Sequence, residues 1–111
     1  MADTKIKVLV VDDEKIIRDF FARLLSLQGL EVVEAEDGYK ASELAKAGKF
    51  DLYFIDVRMP GLDGLETFRK VRQVHPEALV VMMTGYALDN ILEQAQKEGA
   101  SGSIRKPFAI G

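Results

Sequence analysis

The sequence predicts an α/β protein, a parallel sheet with helices on both faces, and three observations carry that reading. Short, almost uninterrupted apolar runs alternate with segments of helical periodicity. The connections between them are only a few residues long, as right-handed strand-helix-strand crossovers require. Chemically distinctive residues sit where the apolar runs stop, at the carboxyl ends of the predicted strands, which is where open sheets of this class bind ligands.

The first strand is expected over residues 5–11, KIKVLVV, whose valine-rich run leaves no wetted face. It stops at Asp12-Asp13-Glu14, and a helix begins at once with Ile17, Phe20, Phe21, Leu24 and Leu25 on one stripe, closed by Gly29. Glu31 to Ala35 forms a second strand. Asp37-Gly38 starts a second helix, with Ala41, Leu44 and Ala45 on its inner face and an end near Gly48. The third strand, Leu52 to Ile55, delivers Asp56 to its end, where Pro60-Gly61 turns the chain and Asp63-Gly64 opens a helix bearing Leu65, Phe68 and Val71. His75-Pro76 stops that helix, because a residue before proline is pushed out of helical conformation. Leu79 to Met83 is a fourth strand ending in Thr84-Gly85. Leu88, Ile91, Leu92 and Ala95 mark a fourth helix ended by Gly99, and a fifth strand over residues 101–105 runs into Lys106-Pro107-Phe108. His75 is expected to be an exposed helix-end residue without a role, and Met82-Met83 to be core.

Composition removes several function classes. One domain fits 111 residues, of which 48% are apolar and 30% charged, and such a domain buries roughly 60 to 70% of its extended-chain surface. There is no cysteine, so disulfides and thiolate metal sites are excluded, and a single histidine excludes an imidazole cage. No apolar run of about 18 residues is present and MADTKIK is no signal peptide, so a cytoplasmic protein with no membrane partner is expected. A net charge of -3 is wrong in sign for binding nucleic acid.

The residues at the strand ends form a chemical set. Asp12, Asp13 and Asp56 would repel one another in a shared crevice unless a cation joined them, and a hard divalent ion such as Mg²⁺ or Mn²⁺ takes oxygen ligands of this kind. Asp56 is then placed to act as a nucleophile that accepts a phosphoryl group. Lys106 would neutralise charge on the phosphoryl oxygens, Thr84 would hydrogen-bond one of them, and Gly85 would leave the approach clear. The competing structural reading makes Asp12 and Asp13 helix caps, Thr84 a polar strand end and Lys106 a solvated lysine. Each is reasonable singly, but not all together.

VLVVDDE, FIDVRMPGLDG, MMTG and IRKPF, in that order across residues 8–108, resemble the receiver domain of bacterial two-component response regulators. The resemblance implies a flavodoxin-like doubly wound five-stranded sheet of order 2-1-3-4-5. It also implies Asp56 as phosphoacceptor, Asp13 and Asp56 as direct metal ligands, Asp12 as a water-mediated or supporting ligand, and the backbone carbonyl of Arg58 as a further one. Thr84 and Lys106 match the family's phosphoryl-binding pair, and Lys106-Pro107 its usual cis peptide bond. The implied function is a phosphorelay switch rather than an enzyme with a turnover substrate. Its partners would be a sensor histidine kinase or phosphotransfer protein, with an output domain or a homodimer downstream.

Two departures qualify this. Receivers usually carry an aromatic residue three positions before the lysine, and here that position is Ser103, so threonine-aromatic coupling in its usual form is lost. A phosphorylation-independent docking or dimerisation receiver is therefore the alternative. Residues 1–111 also read as a receiver that stops before the usual fifth helix, which predicts dimerisation or marginal stability through the uncovered face. Arg58 and Tyr86, two residues after Asp56 and Thr84, are expected to flank the crevice and slow attack of water on a phosphoaspartate. A phosphohydrolase of the haloacid dehalogenase type would need a second aspartate at position 58 as acid/base, where this chain has arginine.

Overall fold

In a computed structural model of the chain, which describes residues 5–85 and 90–105, the central strand is β1 (Lys7–Val11). Val8 to Val11 are fully buried, as a strand covered on both faces must be. Around it the described residues form α1 (Lys15–Leu27), β2 (Glu31–Ala35), α2 (Gly38–Ala47), β3 (Leu52–Asp56), α3 (Gly64–Val74), β4 (Leu79–Thr84), α4 (Asn90–Lys97) and β5 (Gly102–Arg105). All four strand pairings are parallel and the order is β2-β1-β3-β4-β5, the order the family resemblance implies. The first strand begins two residues later than expected, β4 extends one residue further to include Thr84, and β5 starts at Gly102. Leu88, assigned above to the fourth helix, lies outside the described residues.

Strand alternation divides the core into two layers. Leu9, Val11, Tyr53, Ile55, Val80 and Met82 face α2, α3 and α4, where they meet Ala41, Ala45, Phe68, Val71, Leu92 and Ala95. The opposite side chains, Val8, Val10, Phe54, Met83 and Ile104, pack with Ile17, Phe20, Phe21 and Leu25 of α1. Phe21 stacks on Phe54 with ring centroids 4.9 Å apart. Among the described residues α1 is the only helix on that side. Leu52, Phe54 and Ile104 are correspondingly only part-buried, and Leu79 is 56% exposed.

The helix ends follow the local chemistry. Asp37 accepts the Lys40 N–H at 2.8 Å, and Asp63 with Glu66 forms a reciprocal capping box. Gly29 takes φ +84° after α1, and the Leu30 N–H returns to the Leu25 carbonyl, the wrap expected of a glycine C-cap. His75 ends α3, as expected, but it is neither fully exposed nor without a role. Its ring is part-buried, and Nε2 lies 2.9 Å from the Ala45 carbonyl and 3.4 Å from that of Gly48, fastening the end of α2 to the α3–β4 turn. Carbonyls only accept, so Nε2 carries the proton. Both Met82 and Met83 are buried, as expected.

Candidate functional site: an acidic crevice at the strand ends

The sheet order sets β1 beside β3, with Val11 opposite Ile55, so the residues that follow each strand emerge next to one another. Asp12 leaves β1 fully buried, Asp56 ends β3 at 5% exposure, and Asp13 faces solvent. One carboxylate oxygen from each of the three lies within 4.8 Å of the others. Two buried acids and one exposed acid offer hard oxygen donors and an open side, a set that fits a hard divalent cation retaining some of its water.

The capping alternative does not describe these residues. The N-cap of α1 is Glu14, which makes no side-chain cap bond, while Asp12 Oδ1 accepts the Glu14 N–H at 2.9 Å and turns the acidic loop on itself. The Asp12 N–H is held by the Ala35 carbonyl at 3.1 Å. Arg18, one turn into α1, folds back so that Nη1 donates to the Asp12 carbonyl at 2.7 Å and Nε to Glu34 at 3.3 Å.

Beyond Asp56 the chain is pinned at once, with the Val57 N–H on the Met83 carbonyl and the Gly64 N–H on the Val57 carbonyl, both at 2.8 Å. Gly64 has no room for a side chain. A Cβ there would stand 2.6 Å from Val57 Cα and closer still to the Asp56 carbonyl oxygen, so the start of α3 rests directly on the end of β3. Thr84 is buried at the end of β4, one position past the Met83 that pairs with Asp56. Among the described residues, a Cβ at Gly85 would meet nothing within 4 Å. Arg58 lies in the loop after β3 with its side chain exposed. Lys106, the Lys106-Pro107 bond and Tyr86 lie outside the described residues.

The structure thus brings together Asp12, Asp13 and Asp56, with Thr84 on the adjoining strand. Sequence reasoning did not single out Arg18 or the close approach at Gly64. A glycine directly after Asp63 was a visible signal for the second, whereas nothing local marked Arg18 among the other α1 charges.

Comparison with known proteins fits this geometry. The chain is 36% identical over 103 residues to a cyclic di-GMP phosphodiesterase of Thermotoga maritima, covering 93% of this chain and 27% of that protein. It is 36% identical over 107 residues to the transcriptional regulatory protein PdtaR of Mycobacterium tuberculosis, covering 94% and 51%. The chain therefore spans about half or less of the length of these curated relatives. Among solved structures it superposes on the chemotaxis protein CheY4 of Vibrio cholerae with a TM-score of 0.87 at 34% identity, covering 96% of this chain and 90% of that one. A response regulator of Burkholderia pseudomallei, described as carrying a phosphorylated aspartic acid, a calcium ion and citrate, superposes with a TM-score of 0.86 at 30% identity, covering 96% and 62%. The family model for the response regulator receiver domain matches residues 8–111, and the chain belongs to that family.

Proposed function

We propose that the domain is a phosphoacceptor switch in a two-component relay, with Asp56 as the residue modified. The observation that carries this reading is the meeting of three carboxylates within 4.8 Å at the ends of two adjacent strands. Asp12, Asp13, Asp56 and the backbone carbonyl of Arg58 would hold Mg²⁺ or Mn²⁺. When bound, such an ion offsets the crowded negative charge and polarises the phosphoryl oxygens of the donor.

One Asp56 carboxylate oxygen attacks phosphorus, forming the acyl phosphate, as the bond from phosphorus to the donor breaks. With a phosphohistidine donor the imidazole nitrogen leaves with the bonding electrons; with acetyl phosphate, acetate leaves. Thr84 supplies a hydroxyl to one phosphoryl oxygen and Lys106 its ammonium to another. The domain has no turnover substrate of its own. Its partners are a sensor histidine kinase or phosphotransfer protein and a downstream output domain or second copy. Among the described residues no helix is long and apolar enough to cross a membrane, which suits a cytoplasmic relay.

Ser103 favours a second reading. It is exposed on β5 opposite Met82, where the family usually carries an aromatic ring, so a docking receiver that works without phosphorylation has a physical basis. Intact-mass spectrometry after incubation with acetyl phosphate and Mg²⁺ separates the two. A single Mg²⁺-dependent phosphoryl adduct, absent from Asp56→Asn, is the expected result. A folded protein that takes up no phosphoryl group, with partner affinity unchanged in Asp56→Asn, would install the docking reading instead.

A further inference from the structure

We infer that Arg18 is a positioning residue for the cation site, setting divalent-ion affinity through the Asp12 carbonyl; the inference rests on the metal reading above. The Asp12 residue is held from three directions: its N–H by Ala35 of β2, its Oδ1 by the Glu14 N–H, and its carbonyl by Arg18 Nη1 at 2.7 Å. The first two grips fix Asp12 itself. The third fixes the peptide plane joining Asp12 to Asp13, and so the direction in which the Asp13 carboxylate leaves the chain. Among the described residues nothing hydrogen-bonds the Asp13 side chain, which is exposed. Within the described residues, its place beside Asp12 and Asp56 is set through its backbone.

Arg18 is suited to hold that plane. Its side chain is only 14% exposed, and its Nε is engaged by Glu34, which ties the guanidinium to β2 while Nη1 reaches the loop. A planar fork with two fixed acceptors is pre-organised in a way a flexible ammonium is not. Glu34 also offsets the arginine's charge, so the strut adds little net repulsion toward a cation held by Asp12 and Asp13.

Charge and positioning predict opposite signs for one substitution. Removing a nearby positive charge should, by Coulomb's law alone, tighten binding of a divalent cation. Releasing the Asp12–Asp13 peptide should weaken it, since supporting contacts around metal ligands are commonly worth about tenfold or more in affinity.

The test is Mg²⁺ titration by calorimetry on the folded parent, Arg18→Gln and Arg18→Lys, with amide chemical shifts of Asp12 to Glu14 followed in parallel. Arg18→Gln is expected to raise the Mg²⁺ Kd by about five- to tenfold and to shift those amides before any metal is added. Arg18→Lys, which keeps the charge but replaces the planar fork by one flexible nitrogen, is expected to raise it by about threefold. Unchanged or tighter binding by Arg18→Gln, with the parent binding normally, would overturn the inference. If Arg18→Gln does not fold, parent-like affinity in Arg18→Lys would overturn it equally. A folded parent that binds no Mg²⁺ would overturn the metal reading itself, and this inference with it.

Discussion

Substituting Gly64 by alanine should damage stability and phosphoryl acceptance together, because one backbone contact serves both. An added Cβ would stand 2.6 Å from Val57 Cα, whereas ordinary contacts begin near 3.4 Å. The start of α3 must therefore retreat from the end of β3 by at least about 0.8 Å, and both elements are backbone with no flexible end to yield. Forced overpacking of this kind costs roughly 1–3 kcal/mol. Alanine returns about 0.4–1 kcal/mol by restricting the unfolded chain, so the net loss is expected to centre on about 1.3 kcal/mol. Urea unfolding should show a lowered midpoint at unchanged slope. Asp56 supplies the carbonyl nearest the new methyl, so labelling by acetyl phosphate should slow in the same variant. Gly48→Ala is the control: its backbone is extended at φ -161° and a Cβ there meets nothing within 4 Å, so stability should stay within about 0.5 kcal/mol of the parent. A Gly64→Ala protein as stable as Gly48→Ala would refute the claim that α3 is seated on β3 by this contact.

Three further outcomes follow from the packing and charge. Phe21→Ala should lose about 3 kcal/mol in denaturant unfolding, because Phe21 is 5% exposed against Phe54 in the layer that α1 covers; a loss below about 1 kcal/mol would show that layer to be loosely packed. Among the described residues the buried Tyr53 hydroxyl finds no hydrogen bond of sound geometry, and burial pushes its pKa up against a smaller opposing effect of the Phe50 backbone. Tyr53→Phe should thus be neutral or more stable by up to about 1 kcal/mol in thermal unfolding, and a clear loss would reveal a partner for that hydroxyl. Arg69 grips Glu98 through two bonds of 2.8 and 2.5 Å, with Gln94 adding a third, and these hold the Glu98 carboxyl down at about 2. A depressed carboxyl stabilises the fold above its unfolded pKa and loses that contribution as pH falls through the folded value. The stability difference between parent and Glu98→Gln should accordingly be present at neutral pH and fade between about pH 4.5 and 2; a difference constant over that range would exclude the ion pair as its source.

Much of the fold was legible because the residues that decide it act locally. A strand buried on both faces needs an unbroken apolar run, and residues 8–11 supply one; a helix covering a sheet needs an apolar stripe, and Phe68 with Val71 marks it. Strand order was not legible from residues alone, since pairing of β1 with β3 is a long-range choice that no spacing records, and it came through the family resemblance. His75 was misread for a related reason. Its partners, the carbonyls of Ala45 and Gly48, are thirty and twenty-seven residues away. A carbonyl has no sequence signature, so a side chain whose task is to hold one looks like any exposed polar residue.

The same distinction separates the two halves of the site. Asp12, Asp13, Asp56 and Thr84 could be picked out because each stands where an apolar run ends, and an acid at such a place demands explanation. Arg18 could not, because its acceptor is the backbone of Asp12 and its second partner, Glu34, lies on another strand. Reactive groups announce themselves by chemistry that is costly to bury, whereas the groups that aim them spend their hydrogen bonds on peptide atoms common to every residue. On the proposed reading the acids specify what can bind, and the arginine and glycine that touch their backbones set how well: Arg18 on the carbonyl of Asp12, and Gly64 against the carbonyl of Asp56. Substitutions at those two positions should change affinity and rate while keeping every acid in the sequence, which is how a receiver could be tuned without replacing its reactive residues.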